Sequence, residues 1–192
     1  MDQTDSSTTH HLRGQLLVAM PGLVDPSFTH SVVYICEHTA DGAMGLIVNQ
    51  PLEVPLKQMF EQLDLQCPEN LRTQPLLLGG PVQQQRGFIL HRHTEKKWQS
   101  TVPVSDQVNL TASRDVVEAI ASNEGPTDSL FILGYAGWGA GQLERELLEN
   151  AWLTTPADPE FLFDTPFDNR VSVAAARIGI DLNQLSNSAG HA

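Results

Sequence analysis

The sequence predicts an α/β chain with α+β character: a mixed, partly antiparallel β-sheet with packed helices, in a single compact domain that leaves room for a small subdomain. Three observations predict it. Short apolar runs interleave with stretches whose apolar residues recur at helical spacing. The first three apolar runs are joined by tight turns, and a tight turn makes its flanking strands antiparallel neighbours. No repeat or low-complexity linker divides the 192 residues, a length that suits one well-buried domain. The domain is expected to span 13–187, between tails at 1–12 and 188–192, with the subdomain drawn from the 80–110 region.

The first twelve residues are polar, offer little to bury and are expected to be disordered. Residues 14–20 read as a buried strand stopped by Pro21-Gly22. Residues 31–37, rich in β-branched and aromatic side chains, form a second strand. The chain turns over 37–42, where Asp41-Gly42 is a strong hairpin signal, and returns as a strand over 44–49 closed by Pro51. Leu56, Met59, Phe60 and Leu63 fall on one face of a helix over 55–63. Short strands follow at 75–78 and 87–90, then two weak edge strands near 98–104 and 108–110. Residues 113–123 read as a helix with Val116, Val117, Ile120 and Ala121 inward, ended by Gly125-Pro126. A strand at 129–133 leads into a glycine loop and then a helix from Glu144. Residues 150–154 suggest a short strand, and 160–163 is a further apolar run. Thr165-Pro-Phe-Asp168 has a capping-box pattern that opens a helix through Arg177, and 179–192 is left as a tail.

Composition narrows the function classes. With 41% hydrophobic and 18% charged residues the chain is an ordinary globular one. Its net charge of −12, from 11 Lys+Arg against 23 Asp+Glu, disfavours nucleic acid and anionic membrane. Basic residues gather only loosely at Arg86, His91, Arg92, His93, Lys96 and Lys97. Cys36 lies within an apolar strand, as a buried small hydrophobe does, whereas Cys67 after its helix is expected nearer the surface. No apolar run approaches a membrane span, and Leu16-Leu-Val-Ala-Met20 is too short for a signal core. The expected setting is cytoplasmic.

The most informative stretch is Leu133-Gly-Tyr-Ala-Gly-Trp-Gly-Ala-Gly-Gln-Leu-Glu144. Backbone amides at a helix start attract anions, yet no Lys follows Gly141 as a Walker A loop requires, and the spacing is not G-x-G-x-x-G. Glu144, Glu146 and Glu149 would oppose a polyphosphate. The loop is then either a packing element or a binding element. His91 and His93, two apart on a strand, point to one side, but without HExxH or a Cys cluster no metal is assigned, and no cofactor. No G-x-S-x-G elbow marks a nucleophile.

Taken together, Gly14-Gln-Leu-Leu-Val-Ala-Met-Pro21, Cys36-Glu-His38, Gly42-Ala-Met-Gly-Leu-Ile-Val-Asn49 with Pro51, Gly79-Gly-Pro-Val82, Leu90-His91, Leu133-Gly-Tyr-Ala-Gly-Trp138, Gly141-Gln-Leu-Glu144 and Gly190-His-Ala192 resemble the AlgH/YqgE family of bacterial proteins. The resemblance runs in order over nearly the whole chain. It implies an α/β fold with a smaller α+β portion, a cytosolic protein and no established activity. Some members carry a transcriptional-regulator name, but nothing here resembles a helix-turn-helix with basic recognition residues.

Three functional readings follow. The first is a binding or regulatory protein, with an unknown small-molecule or protein partner. It would use a cleft built from His38, Asn49, Gly79, Gly80, His91, Tyr135, Gly137, Trp138, Gln142 and Glu144, since ligand crevices form at strand ends. The second is an enzyme of unknown reaction, with His38 or His91 as general base and Glu37 or Glu144 as its charged partner. The third is a transcription-related regulator without a recognisable DNA-binding motif. The first reading expects Trp138 to be partly exposed as a cleft wall.

Overall fold

The computed structural model describes residues 11–188. The expected tails at 1–12 and 188–192, with His10, His191 and the Gly190-His-Ala192 motif, lie largely outside them. Strands β1 (Gln15–Ala19), β2 (Val32–Thr39), β3 (Gly42–Ile47) and β4 (Pro51–Pro55) are followed by helix α1 (Leu56–Gln62). Next come β5 (Pro75–Leu78), β6 (Val82–Arg92), β7 (Thr101–Pro103), β8 (Val108–Thr111) and α2 (Arg114–Ala121). The chain continues through β9 (Ser129–Gly139), α3 (Gln142–Leu148), β10 (Trp152–Pro156), α4 (Pro159–Asp164), α5 (Arg170–Ile178) and α6 (Leu182–Ser188).

The strands form one curled sheet in the order β10-β1-β2-β3-β9-β6-β8-β7, with β5 alongside β9 and β4 beyond it. Every pairing is antiparallel except β5 with β9. The mixed sheet and single α/β domain are as the sequence predicts. The 80–110 region is not set apart, because β6 pairs with β9 from Gly87 to His91.

Three apolar clusters hold the sheet. One lies under α4 and α5, around Phe161, Leu162, Ala174, Tyr34 and Leu46. A second covers the opposite face, where Leu143 of α3 and Leu12 pack on Leu17, Val33, Trp138 and Trp152. The third seats Leu56 and Phe60 of α1 and Val116, Val117 and Ile120 of α2 against Leu76, Ile89 and Phe131. Of the residues their spacing selects, these five helix residues are buried, while Met59, Leu63 and Ala121 are half-buried at the edge of the cluster.

The largest departure from the sequence reading is the glycine stretch. Residues 134–139 are not a loop: β9 runs on through Gly139, and only Ala140-Gly141 separate it from α3. Glycines lower strand propensity, but pairing of Ala136–Gly139 with Gly42–Gly45 overrides it. The same cause lengthens β6 back to Val82 and makes a strand of Pro51–Pro55. The 160–163 run is helical because Asp158 caps it, accepting the Phe161 N–H at 2.7 Å, with Pro159 in the first turn. Thr165 does not open the next helix. It ends α4, and its carbonyl takes the Arg170 Nε–H at 3.0 Å. The segment left as a tail contains α6, whose start is fixed by Asp181 accepting the Asn183 N–H at 2.9 Å.

Two glycines are demanded by geometry. Gly134 has φ 74°, and at Gly80 a Cβ would lie 2.2 Å from the Tyr135 carbonyl carbon. Leu130 and Ile132 face the α4–α5 cluster, and beyond Gly134 it is the odd-numbered Tyr135 that does so. Gly134 thus acts as a bulge that resets the alternation, sending Ala136 and Trp138 to the face under α3. Gly80→Ala is expected to cost at least about 2 kcal/mol, because the clash is with backbone. Gly137→Ala, where the nearest atom is 3.5 Å away on the Tyr135 ring, should stay within about 1 kcal/mol. Urea unfolding of the two variants checks the contrast.

Candidate functional site

A second irregularity matches the first. The ladder between β2 and β3 shifts at Cys36, so that Ile35 pairs with Gly45 but Glu37 with Met44 and His38 with Ala43. Ala43 in turn pairs with Trp138. His38, Ala43 and Trp138 therefore form one cross-strand row on the face covered by α3.

His38 is 4% exposed. Its Nδ1 accepts the Leu12 N–H at 3.1 Å, which places the ring proton on Nε2, and Nε2–H donates to Glu144 Oε1 at 2.6 Å. The His11 Nδ1–H donates to the His38 carbonyl at 3.0 Å. Glu144 stands in the first turn of α3. Its carboxyl is held below the usual carboxylate range, first by its own backbone N–H at the helix start and, against partial desolvation, by the His38 ring.

A second carboxylate sits beside it. Glu146 Oε2 accepts the indole N–H groups of Trp138 at 2.9 Å and Trp152 at 2.8 Å, while Oε1 accepts the Gln142 amide at 3.0 Å. Gln142 Oε1 accepts the Gly139 N–H at 3.0 Å, joining the end of β9 to α3. Phe28 stacks on Trp138 with ring centres 6.1 Å apart and meets Trp152 edge-on at 5.4 Å. Trp138 is consequently 6% exposed, which corrects the expectation of a partly exposed cleft wall. Between two aromatic rings and an acceptor for its N–H, it is a core residue.

The structure brings together His38, Trp138, Gln142 and Glu144, with Tyr135 and Gly137 on the same strand but turned to the other face. It does not bring the others to them. His91 pairs with Ser129 at the far end of β9, roughly 30 Å along the strand. It is fully buried: Nδ1–H donates to the Arg92 carbonyl and Nε2 accepts from Thr111, each at 2.9 Å. Burial pulls its pKa below the usual imidazole value. Asn49 spans the other end of the β2–β3 hairpin, holding Val32 and His30. Gly79 and Gly80 lie where the chain crosses β9. Glu37 is exposed beside Met44. A single cleft lined by all ten candidates is therefore not formed.

The remaining reactive groups are quiet. Cys36 and Cys67 are free and buried, Cys67 contrary to its expected surface position, and burial pushes both thiols up. Among the described residues no group of three or more His, Cys, Asp or Glu could hold a metal ion. The loose basic patch is partly neutralised, since Arg92 pairs with Asp128 and lies 3.4 Å from Asp164. Neither His38 nor His91 presents a free ring nitrogen, and a general base needs one. The residues missed in the sequence are Leu12, Phe28, Glu146 and Trp152. Glu146 reads there only as one of three acids on a helix.

What these features define is a single-domain α/β protein with a curled mixed sheet and a buried histidine–carboxylate corner. The chain belongs to the AlgH-like family, whose profile matches residues 16–183. It is 52% identical over 186 residues to a UPF0301 protein of Thioalkalivibrio sulfidiphilus, covering 97% of this chain and 100% of that one. A UPF0301 protein of Saccharophagus degradans is 54% identical over 181 residues, covering 94% and 89%. The solution structure of the AlgH protein from Pseudomonas aeruginosa superposes with a TM-score of 0.78 at 46% identity, over 100% of both chains. A crystal structure of a Corynebacterium diphtheriae protein shares the fold, with a TM-score of 0.71 at 19% identity over 97% and 94% of the chains. Among the described residues no helix is long and apolar enough to cross a membrane.

Trp138→Ala is expected to lower stability by about 3–5 kcal/mol. Glu146→Ala, which leaves two indole donors unmet, should cost at least about 2 kcal/mol. Denaturant midpoints measure both. Glu144 has a depressed folded pKa, so its contribution is complete above the ordinary carboxylate range and is lost as pH falls through the folded value. The stability difference between wild type and Glu144→Gln should therefore shrink between about pH 6 and about pH 3. A constant difference would show that the carboxylate charge is not involved.

Proposed function

We propose that the chain is a partner-binding, regulatory protein whose contact surface is the acidic corner at the tip of the β2–β3 hairpin, the end of β9 and the start of α3. The observation that carries this reading is a corner held rigid with its imidazole fully occupied: His38 is bonded at both nitrogens, to Leu12 and Glu144. A preordered surface loses little freedom on binding. Beside it lies a shallow depression of about 240 Å³ lined by Glu37, Thr39, Asp41 and Met44. Its shape suits side chains of a protein partner better than an enclosed small molecule. Glu37 and Asp41 favour basic groups on that partner. In this reading His38, Gln142 and Glu144 position the surface from beneath, and Asn49, Gly79, Gly80 and His91 take no part. The proposed setting is the cytoplasm, where two free cysteines are at home.

Exchanging Glu37 and Asp41 together for Lys reverses the charge of two exposed residues and should leave the thermal midpoint unchanged. Wild-type protein immobilised at low salt is expected to retain a partner that is released as salt rises, and the double variant to lose it by about tenfold or more. Equal retention by both proteins, or none by the wild type, would overturn the reading.

A further inference from the structure

A cavity of about 340 Å³ opens at the end of β1, at the opposite end of β2 from the acidic corner. Met20 and Leu23 wall it from the loop after β1, Val171 from α5 and Leu182 from α6. The exposed Thr29 and His30 stand at its rim on one side and Asn183 on the other. Among the described residues no Asp, Glu, Lys or Arg lines it. The volume falls within the range of small-molecule sites, which combine apolar walls with a few placed polar groups.

The rim is built under strain. His30 has φ 56°, left-handed backbone that a side chain with a Cβ keeps only when its surroundings hold it. Asn49 holds it: Nδ2 donates to the His30 carbonyl at 2.9 Å, and Oδ1 accepts the Val32 N–H at 2.8 Å. Ser31 adds its N–H and hydroxyl, both donated to the Phe28 carbonyl. The turn carrying Thr29 and His30 is thus clamped by Ser31, just ahead of β2, and by Asn49, two residues beyond β3. Asn49, which takes no part in the acidic corner, has its explanation here as a positioning residue.

We infer that this cavity binds a small, uncharged, apolar molecule bearing one hydrogen-bonding group. The apolar body lies between Met20, Leu23, Val171 and Leu182, and the polar group meets the Thr29 hydroxyl and the His30 imidazole. With no charge in the lining, an ionised ligand would lose its hydration without compensation. The inference is independent of the acidic corner, since no residue is shared between them.

Indole, an apolar bicycle with a single N–H, tests it on the full chain by amide chemical-shift titration. The expected result is saturable shifts at Met20, Leu23, Thr29, His30 and Val171, with none for an indole carboxylate at the same concentration. Val171→Phe fills the space, and should weaken indole binding by about tenfold or more without lowering the thermal midpoint. The Glu37→Lys, Asp41→Lys variant should bind indole as the wild type does. The wild-type shift map stands by itself if Val171→Phe does not fold. Unsaturable shifts, shifts confined to other residues, equal binding of the carboxylate or undiminished binding by Val171→Phe would each overturn the inference.

Discussion

The close crossing of the chain over β9 is the constraint on which the rest depends. After β5 the backbone passes over Gly134 and Tyr135, with Gly79 donating its N–H to the Leu133 carbonyl at 2.7 Å and accepting the Ile47 N–H at 2.8 Å. No side chain fits between the two strands there, for a Cβ at Gly79 would lie 2.3 Å from the Gly134 carbonyl oxygen. That contact lets one strand serve two halves of the sheet. Up to Leu133, β9 pairs with β5 and β6, and beyond Gly134 it keeps one pair with β6, Tyr135 with Val82, and gains β3 as its other neighbour. Because side chains alternate along a strand, the left-handed Gly134 also decides which face Trp138 meets. The Cys36 irregularity in β2 makes the corresponding change for His38. The buried corner is a product of two register shifts that agree.

Two side chains, the half-buried Glu146 and the buried Arg170, are held by neutral partners. Glu146 is met by two indoles and an amide, and the fully buried Arg170 by the carbonyls of Val48, Leu162 and Thr165. Desolvation lowers the pKa of Arg170 to about 10, yet three carbonyl dipoles keep its charge in place. Such networks tie sequence-distant elements at defined angles, because each donor has a single acceptor within reach. Arg170 joins the end of β3 to α4 and α5, and Glu146 fixes α3 over β9 and β10.

What was legible in the sequence is what local pattern governs. The β1–β2–β3 meander follows from three punctuated apolar runs, but only the Asp-Gly turn is tight, because residues 20–31 form a longer connection with a 3-10 turn between β1 and β2; α1 and α2 follow from helical spacing. Glycine and proline misled where tertiary contact outweighs local preference. β9 keeps strand geometry through three glycines because β3 supplies a ladder, and β4 begins and ends with proline. Thr165 had the residues of a cap, but its carbonyl is taken by Arg170. The corner was half legible. His38 and Glu144 both stand out as residues, and their contact was one of the pairings open to a histidine with a carboxylate partner. Their separation of 106 positions carries no local signal. The Leu12 amide and Glu146 had none either, since one is backbone and the other an ordinary helix acid.

The same geometry bears on whether His38 could ever act as a base. A histidine bonded to a carboxylate at 2.6 Å has the orienting half of an acid–base pair. The other half, an open lone pair facing a substrate, is closed by the Leu12 N–H. That lone pair could face a substrate only if the chain around Leu12 withdrew. Leu12 is itself buried against Leu17 and Trp138 in the cluster under α3. Withdrawal would therefore expose apolar surface as well as break a hydrogen bond, at a cost of a few kcal/mol in all. The imidazole serves the fold by joining the residues before β1, the end of β2 and the start of α3.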